Sequence, residues 1–546
     1  MPKISENQVV NSALWAAFGD AAGFPTELVS LRELERRIGT PRIEGPVEWS
    51  RRLGGMFGPE VTLPAGTYSD DTQLRLAVSR AITGNGFFDV ESFAKIELPV
   101  WLNYAHGAGR ASKLAAANLA LRDSTWSNNF FHNGRVEYWN GGGNGAAMRV
   151  QPHVWVAHNH GPEAFMSDVI RDAVCTHGHP RALIGAAAHA HALHLSLLTQ
   201  RLPSPDEWEE LGSVASAQAY RSLLDDQELS LVWVPQWEQL SGTKLKKLWD
   251  TTTAEWVEAS RTAAAACRTM GTPLHRYRTV LNELGGFTAA ERGSGLKTAL
   301  YANVLAWLYS HDGPVRGLLA AANELGSDTD TIATMAGAMM GAVCPGEPQS
   351  PIQDRDYIAG EARRLFAIGA GRDQGAFPYP DLMSWSAPRA QTDAWLDIDD
   401  TAVLAGLGAL VAAGPGVSAP KGPRQIYQWC ALPFGQTVLA KRKASARPPA
   451  APEVFVGQGP TSATHEEASP VTAGTLASKT FLPPSETGLL TAPDLHTLTR
   501  ECIQKGFQAE DIGRHLLALM SGPEGIERAI AFTAIIAKAK LARDQR

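Results

Sequence analysis

What most constrains this chain is a set of helical runs rich in small residues: "NQVVNSALWAAFGDAAG", "ASKLAAANLALRD", "RALIGAAAHAHALHLSLL", "GLKTALYANVLAWLYS" and "TDTIATMAGAMMGAV". Apolar residues recur in these stretches with period 3.6, and alternating β-branched stretches are scarce up to about Leu410. Alanine and glycine on helix surfaces let axes approach closely, so the pattern predicts an all-α, compact bundle of packed helices. At 546 residues the chain is long for one domain. The reading divides it into a helical domain over 1–410, with a helical insertion at 203–284, a Pro/Ala/Ser/Thr-rich linker over 411–484 and a small helical region over 485–546. The five tryptophans of the insertion (Trp208, Trp233, Trp237, Trp249 and Trp256) are expected to fill its core.

A net charge of −7 lacks the basic surplus usual in nucleic-acid binders. The five cysteines are scattered and include no C-x-x-C, which argues against a disulfide framework or a zinc ribbon. No signal-like start and no run of membrane-spanning length is read. A soluble, cytoplasmic protein is the expectation.

Two acidic clusters carry the chemistry. "TYSDDTQL" sets Ser69, Asp70 and Asp71 at a helix entrance, and "GSDTDTIATM" sets Asp328, Asp330 and Thr331 at another. Taken singly, each is what a helix cap and an acidic first turn look like. Brought together, they would gather hard oxygen ligands for one or two divalent cations, without which the carboxylates would repel one another. Three further segments place polar residues near helix starts: "FGDAAGFPTE" with Asp20 and Glu27, "WNGGGNGAAMRVQP" from Gly141 onward, and "CTHGHPRA" with His177 and His179. The glycines suit close approach of backbone N–H groups to an anion. Two decoys are set aside. "DIDDTAV" at Asp399 to Thr401 reads as a helix cap, and the histidines of "HAHALH" (His189, His191 and His194) read as structural or exposed.

The segments "GDAAGFPTE", "YSDDTQL", "GNGAAMRVQP", "THGHPRA" and "GSDTDTIATMAGAMMGA", in this order, resemble the ADP-ribosylglycohydrolase family of the dinitrogenase-reductase-activating type. The resemblance implies an all-helical bundle with two Mg²⁺ ions (Mn²⁺ being possible) that hydrolyses the bond between ADP-ribose and an acceptor. By it, Ser69, Asp70, Asp71, Asp328, Asp330 and Thr331 match metal ligands, and Asp71, Asp330 and Glu27 are the candidate catalytic acids. Glu27, Gly143, Asn144, Gly145, Met148, Arg149 and His179 match residues lining the ADP-ribose site. Ser69 stands where threonine is usual, and Ser327 where a second glycine is usual. The expected partner is an ADP-ribosylated protein or other ADP-ribose conjugate, with a nucleic-acid acceptor left open and the C-terminal region available to a protein partner. The alternative is an ADP-ribose-binding or transferase-neutralising protein with little turnover. A dinuclear phosphohydrolase would account for the acids and glycines but not for the order of the segments.

Overall fold

The computed structural model describes residues 4–55, 57–134, 136–419, 425–451, 495–520 and 525–544. Its centre is a pair of helices, α1 (Glu6–Gly23) and a later one starting at the second acidic cluster. Ser5 and Gln8 form a capping box at the start of α1, and from Val9 to Gly23 every residue is buried, as expected of a helix packed on all sides. Next come α2 (Leu31–Ile38) and the antiparallel hairpin β1 (Trp49–Arg52) and β2 (Glu60–Leu63), in register from Trp49↔Leu63 to Arg52↔Glu60. Helix α3 (Asp70–Ala81) carries the first acidic cluster. Further along are α4 (Pro180–Thr199), α5 (Trp208–Asp225), α6 (Leu245–Cys267), α7 (Gly295–Leu308), α8 (Thr329–Val343) and α9 (Arg355–Gly369).

The small residues do what the pattern predicts. A Cβ built on Gly337 of α8 would lie 2.3 Å from the Trp15 carbonyl oxygen, and one on Gly23 would lie 2.4 Å from the Asp330 Cα. Only glycine permits backbones this close, and the seam clamps the end of α1 onto the start of α8. Thr329 Oγ1 donates to the Gly23 carbonyl (3.0 Å), and Thr26 Oγ1 donates to Thr329 Oγ1 (3.1 Å). The same seam therefore brings Asp330 next to the turn that ends in Glu27.

All five tryptophans of 203–284 are buried. Trp233 Nε1 donates to Tyr138 Oη, and Trp237 Nε1 to the Gly178 carbonyl. These residues thus brace the glycine-rich and histidine segments from behind. The three histidines of α4 are buried and structural, with Gln151 Nε2 2.9 Å from His189 Nε2. Among the described residues one helix, Pro180–Thr199, is long and apolar enough by length and composition to cross a membrane, although no such run was read in the sequence. Of that stretch 83% is buried inside the fold, as in the core helix of a globular protein.

Two expectations need correction. Residues 411 onward do not begin a linker. Two three-stranded antiparallel sheets follow the helices: β3 (Trp395–Ile398), β4 (Thr401–Leu404) and β5 (Gly408–Ala409), then β6 (Val411–Ser418), β7 (Gln425–Ala431) and β8 (Thr437–Lys443). The compact unit runs to Ala450. The Gly and Pro content that looked like a linker sits in β6, an edge strand whose register shifts between Ala412 and Gly416, where Pro415 needs no ladder partner for the N–H it lacks. Asp399 and Asp400 do not cap a helix either. Their φ angles of +46° and +65° form the two-residue turn between β3 and β4, a conformation that Asp tolerates. The rest of the expected linker, from 452 to 484, lies outside the described residues.

The second unit, from Ala451, contains α10 (Leu495–Gln504), α11 (Ala509–Met520) and α12 (Gly525–Asp544). These are the three helices read from the sequence, with Cys502, Leu519 and Phe532 buried among them.

Candidate active site

Asp20, in α1, organises the site from inside. Its carboxylate accepts from Ser69 N (2.8 Å), Thr72 N (2.9 Å) and Thr72 Oγ1 (2.6 Å), fixing the first turn of α3. Ser69 caps that helix through its hydroxyl, which accepts from Asp71 N. Asp70 is strapped from the other side, where its N–H donates to the His106 carbonyl and Ala108 N donates to its Oδ1 (2.7 Å). The strap passes so close that a Cβ on Gly107 would lie 2.7 Å from Asp70 Oδ1 and 3.8 Å from Glu27 Oε2, and its φ of +78° is a glycine conformation.

The two acidic clusters meet. Thr331 Oγ1 lies 3.4 Å from Asp71 Oδ2 across 260 residues of sequence. Ser69 Oγ donates to the same carboxylate oxygen (3.2 Å), and Asp330 Oδ1 accepts from Thr331 N (2.9 Å). Asp328 sits at the α8 N-cap, where its Oδ2 accepts from Asn144 Nδ2 (2.9 Å). Glu27 closes the group from the end of the turn after α1, next to Leu28, which has a φ of +52°.

Electrostatics show the strain of this gathering. Burial first, and Glu27 second, push the Asp70 carboxyl up to about 8. Burial, then Asp328, lift Glu27 to about 7. Asp71 is raised by burial and then by Asp20, and Asp330 by burial and then by Glu27. Lys113 offsets this at Asp70, Arg51 and Arg37 offset it at Glu27, and Arg75 acts on Asp20 and Asp71. Burial lowers its guanidinium to about 10, while Asp20 and Asp71 hold it up.

The donors are all oxygens, Asp71 Oδ1 is buried with no hydrogen-bond partner, and none of Glu27, Asp70, Asp71, Asp328 and Asp330 is ion-paired among the described residues. Such a set fits hard divalent cations. It is looser than one tight triad. Among the described residues, the trio of His, Cys, Asp or Glu found with ligand atoms within 4.8 Å of one another is Glu501, Asp511 and His515, in the C-terminal unit. There Lys505 and Arg514 already pair with the carboxylates, which reads as an ion-pair network.

The segments matched to substrate binding separate into a face and a support. Gly142, Gly143 and His179 line a cavity of about 310 Å³ with Arg181, Gly293 and Ser294, a size at the lower end for small-molecule sites. Asn144 N donates to the Gly293 carbonyl and Gly295 N to the Gly142 carbonyl, so part of the glycine segment's backbone is already bonded within the protein. His177 and His179 are neutral, held down by burial to about 3 and about 4.

Met148 and Arg149 are buried, and Arg149 corrects the sequence reading most clearly. Its guanidinium donates to Asp172 Oδ1, the Asp172 carbonyl, Thr176 Oγ1 and the Gly145 carbonyl, all at 2.8–2.9 Å. It is a positioning residue behind the glycine segment. Arg149→Met is expected to destabilise the fold by about 3–5 kcal/mol, because Asp172 is left buried without its cation. Chemical denaturation checks this, and an unchanged midpoint would contradict it.

Sequence reasoning assigned no role to Asp20 or the 105–108 strap, and it placed Asn144 at the ADP-ribose site without its hydrogen bond to Asp328. The signal for Asp20 was its place in "FGDAAGFPTE"; the strap carried only its glycines, in "AHGAG".

The ADP-ribosylglycohydrolase family model matches residues 1–373. ADP-ribosylhydrolase ARH3 of Danio rerio is 30% identical over 295 residues, covering 50% of this chain and 69% of that protein. The ADP-ribosyl-[dinitrogen reductase] glycohydrolase of Rhodospirillum rubrum is 27% identical over 177 residues, covering 32% of this chain and 52% of that enzyme, so the chain spans about half of its length. A solved chain titled as an ADP-ribosylglycohydrolase-related protein complex aligns over 67% of this chain and 98% of its own, with 21% identity and a TM-score of 0.38, too loose a likeness to carry weight. The family match spans the helices that build the acid cluster, and on that ground the chain belongs to the ADP-ribosylglycohydrolase family.

Proposed function

We propose that this protein is a metal-dependent hydrolase that removes ADP-ribose from a modified acceptor, foremost a mono-ADP-ribosylated arginine side chain, by cleaving the glycosidic bond at the ribose anomeric carbon. The observation that carries the reading is the contact of the two acidic clusters at Thr331 Oγ1 and Asp71 Oδ2, at the meeting of two helix starts.

Ser69, Asp70 and Asp71 from one helix start, and Asp328, Asp330 and Thr331 from the other, would hold two Mg²⁺ or Mn²⁺ ions. When bound, such ions supply Lewis acidity and a water of lowered pKa. Cleavage builds oxocarbenium-like positive charge on the ribose, which the carboxylates around it stabilise. Asp71 Oδ1, buried and without a partner, is the atom assigned to take the proton of the attacking water, with Asp330 beside it. Glu27, with its carboxyl near 7, is part protonated at neutral pH and can pass a proton to the departing acceptor. The cavity beside Gly142, Gly143 and His179 takes the remainder of the nucleotide.

The test is release of free ADP-ribose from a mono-ADP-ribosylated arginine protein, with Mg²⁺ and with EDTA. Release in Mg²⁺ that stops in EDTA is expected. Release of AMP would point to phosphohydrolysis, and metal-dependent binding of ADP-ribose without release would point to the binding-protein alternative.

A further inference from the structure

The flank of the acid cluster is built partly by strands beyond the family match, which ends at residue 373. Tyr427 of β7 and Leu439 of β8 join Phe24, Trp49, Val61 and Leu63 in a small apolar cluster, and Trp429 Nε1 donates to the Thr62 carbonyl (3.2 Å). Lys441 of β8 is clamped to the helical body, where its N–H donates to Asn103 Oδ1 (3.0 Å) and its carbonyl accepts from Asn103 Nδ2 (2.7 Å). Between the β1–β2 hairpin, the 105–108 strap and these strands lies a cavity of about 240 Å³. Leu53, Tyr427 and Leu439 give it apolar wall, and His106, Gln391 and Lys441 give it polar wall. His106 is also the residue whose carbonyl holds Asp70 N, so the cavity and the acid cluster share one strap.

The wall of this cavity carries a cation and no acid. The Lys441 ammonium has only neutral partners, Gln391 Oε1 (2.8 Å) and the Leu102 carbonyl (3.3 Å). Arg51, Lys113 and Lys441 make no ion pair among the described residues. Burial, and then the charge of Lys113, depress the Lys441 ammonium to about 8, while Arg51 and Lys441 both disfavour a charge on His106. Lys113 and Arg51 face the acid cluster, Lys113 toward Asp70 and Glu27 and Arg51 toward Glu27, which leaves Lys441 as the cation of the cavity wall with no carboxylate acting on it. The cavity is smaller than the usual range for whole small-molecule ligands, and it pairs a cation with an apolar wall, which suits a short acid on an aliphatic stem. The overall negative charge weighs against a phosphodiester polyanion.

We propose that this cavity is an acceptor subsite that takes an aspartate or glutamate side chain of the ADP-ribosylated protein, near its modified residue. The assignment rests on reading the acid cluster as the hydrolytic centre.

Calorimetry on the full chain tests it with three probes: an unmodified arginine peptide flanked by glutamates, the same peptide with glutamines, and free ADP-ribose in Mg²⁺. The glutamate peptide is expected to bind about tenfold more tightly than the glutamine peptide at low salt, an advantage that added salt erodes. Lys441→Met should reduce that advantage to about twofold or less and Lys441→Arg should keep most of it, with ADP-ribose affinity and Tm the same in both. Equal affinity for the two peptides overturns the proposal, as does a glutamate preference that survives Lys441→Met. So does a single-stranded oligonucleotide that binds more tightly than the glutamate peptide and displaces it. If ADP-ribose does not bind but the Lys441-dependent glutamate preference is present, the hydrolase reading fails while the acidic-side-chain pocket stands.

Discussion

Asp71→Asn and Asp330→Asn are each expected to lower ADP-ribose release by at least about 10³-fold, the scale on which loss of one preorganised charge-stabilising group acts. Neither should lower the melting temperature in EDTA. Both carboxyls are raised by burial before any neighbour is considered, and by other acids of the same cluster after that. Asparagine keeps the volume and removes a buried charge that has no ion-pair partner, so stability is held or gained while activity goes. Asp20→Asn separates structure from chemistry. Its carboxylate accepts three hydrogen bonds that fix the α3 entrance, so this change is expected to cost stability, about 1–3 kcal/mol. Turnover and Tm measured on all three variants decide the matter. Loss of Tm in parallel with activity for Asp71→Asn and Asp330→Asn would make those residues structural and remove the basis for the catalytic assignment.

The stabilisation given by Mg²⁺ should grow steeply between pH 6 and pH 8. Asp70 near 8 and Glu27 near 7 lie above their ordinary values of 3.8 and 4.5, so the folded protein holds more protons than the unfolded chain across that span. Stability in EDTA therefore falls as pH rises from about 4 toward 8. A cation competes with those protons, and each one displaced changes its binding by up to about 1.4 kcal/mol per pH unit, so the extra stabilisation at pH 8 should be roughly 3–4 kcal/mol above that at pH 6. The acid side has the opposite sign. Burial depresses His189 to about 3 and His191 to about 4, so their contribution is complete above the unfolded value near 6.5 and is lost as pH falls below it. Thermal unfolding in EDTA and in saturating Mg²⁺ across pH 5–8 reads both limbs. An Mg²⁺ shift of equal size at pH 6 and pH 8 would mean that these carboxyls do not bind the ion.

Much of this was legible in one dimension because it is local. Helical period, small-residue helix faces, the cap at Ser69, the three C-terminal helices and the acidic helix entrances depend on residues within a turn or two of one another. The order of the five motifs also pointed to the right family. Glycine and proline in β6 misled because an edge strand tolerates what a linker favours, and Asp399-Asp400 misled because the same residues that cap helices accept positive φ in a hairpin turn. Arg149 looked like a ligand-facing residue because a sequence records a guanidinium but not which side of the backbone it reaches. By itself, the sequence determined the family and the helical period of the main core segments, and it proposed the residues that carry the chemistry. Only the tertiary structure decided that Asp71 and Thr331 touch, that Asp20 and the 105–108 strap fix the helix entrance carrying Asp71, and that Lys441 lines a cavity with His106 of that strap, because those contacts join positions 38 to 338 residues apart whose encounter depends on packing the whole core.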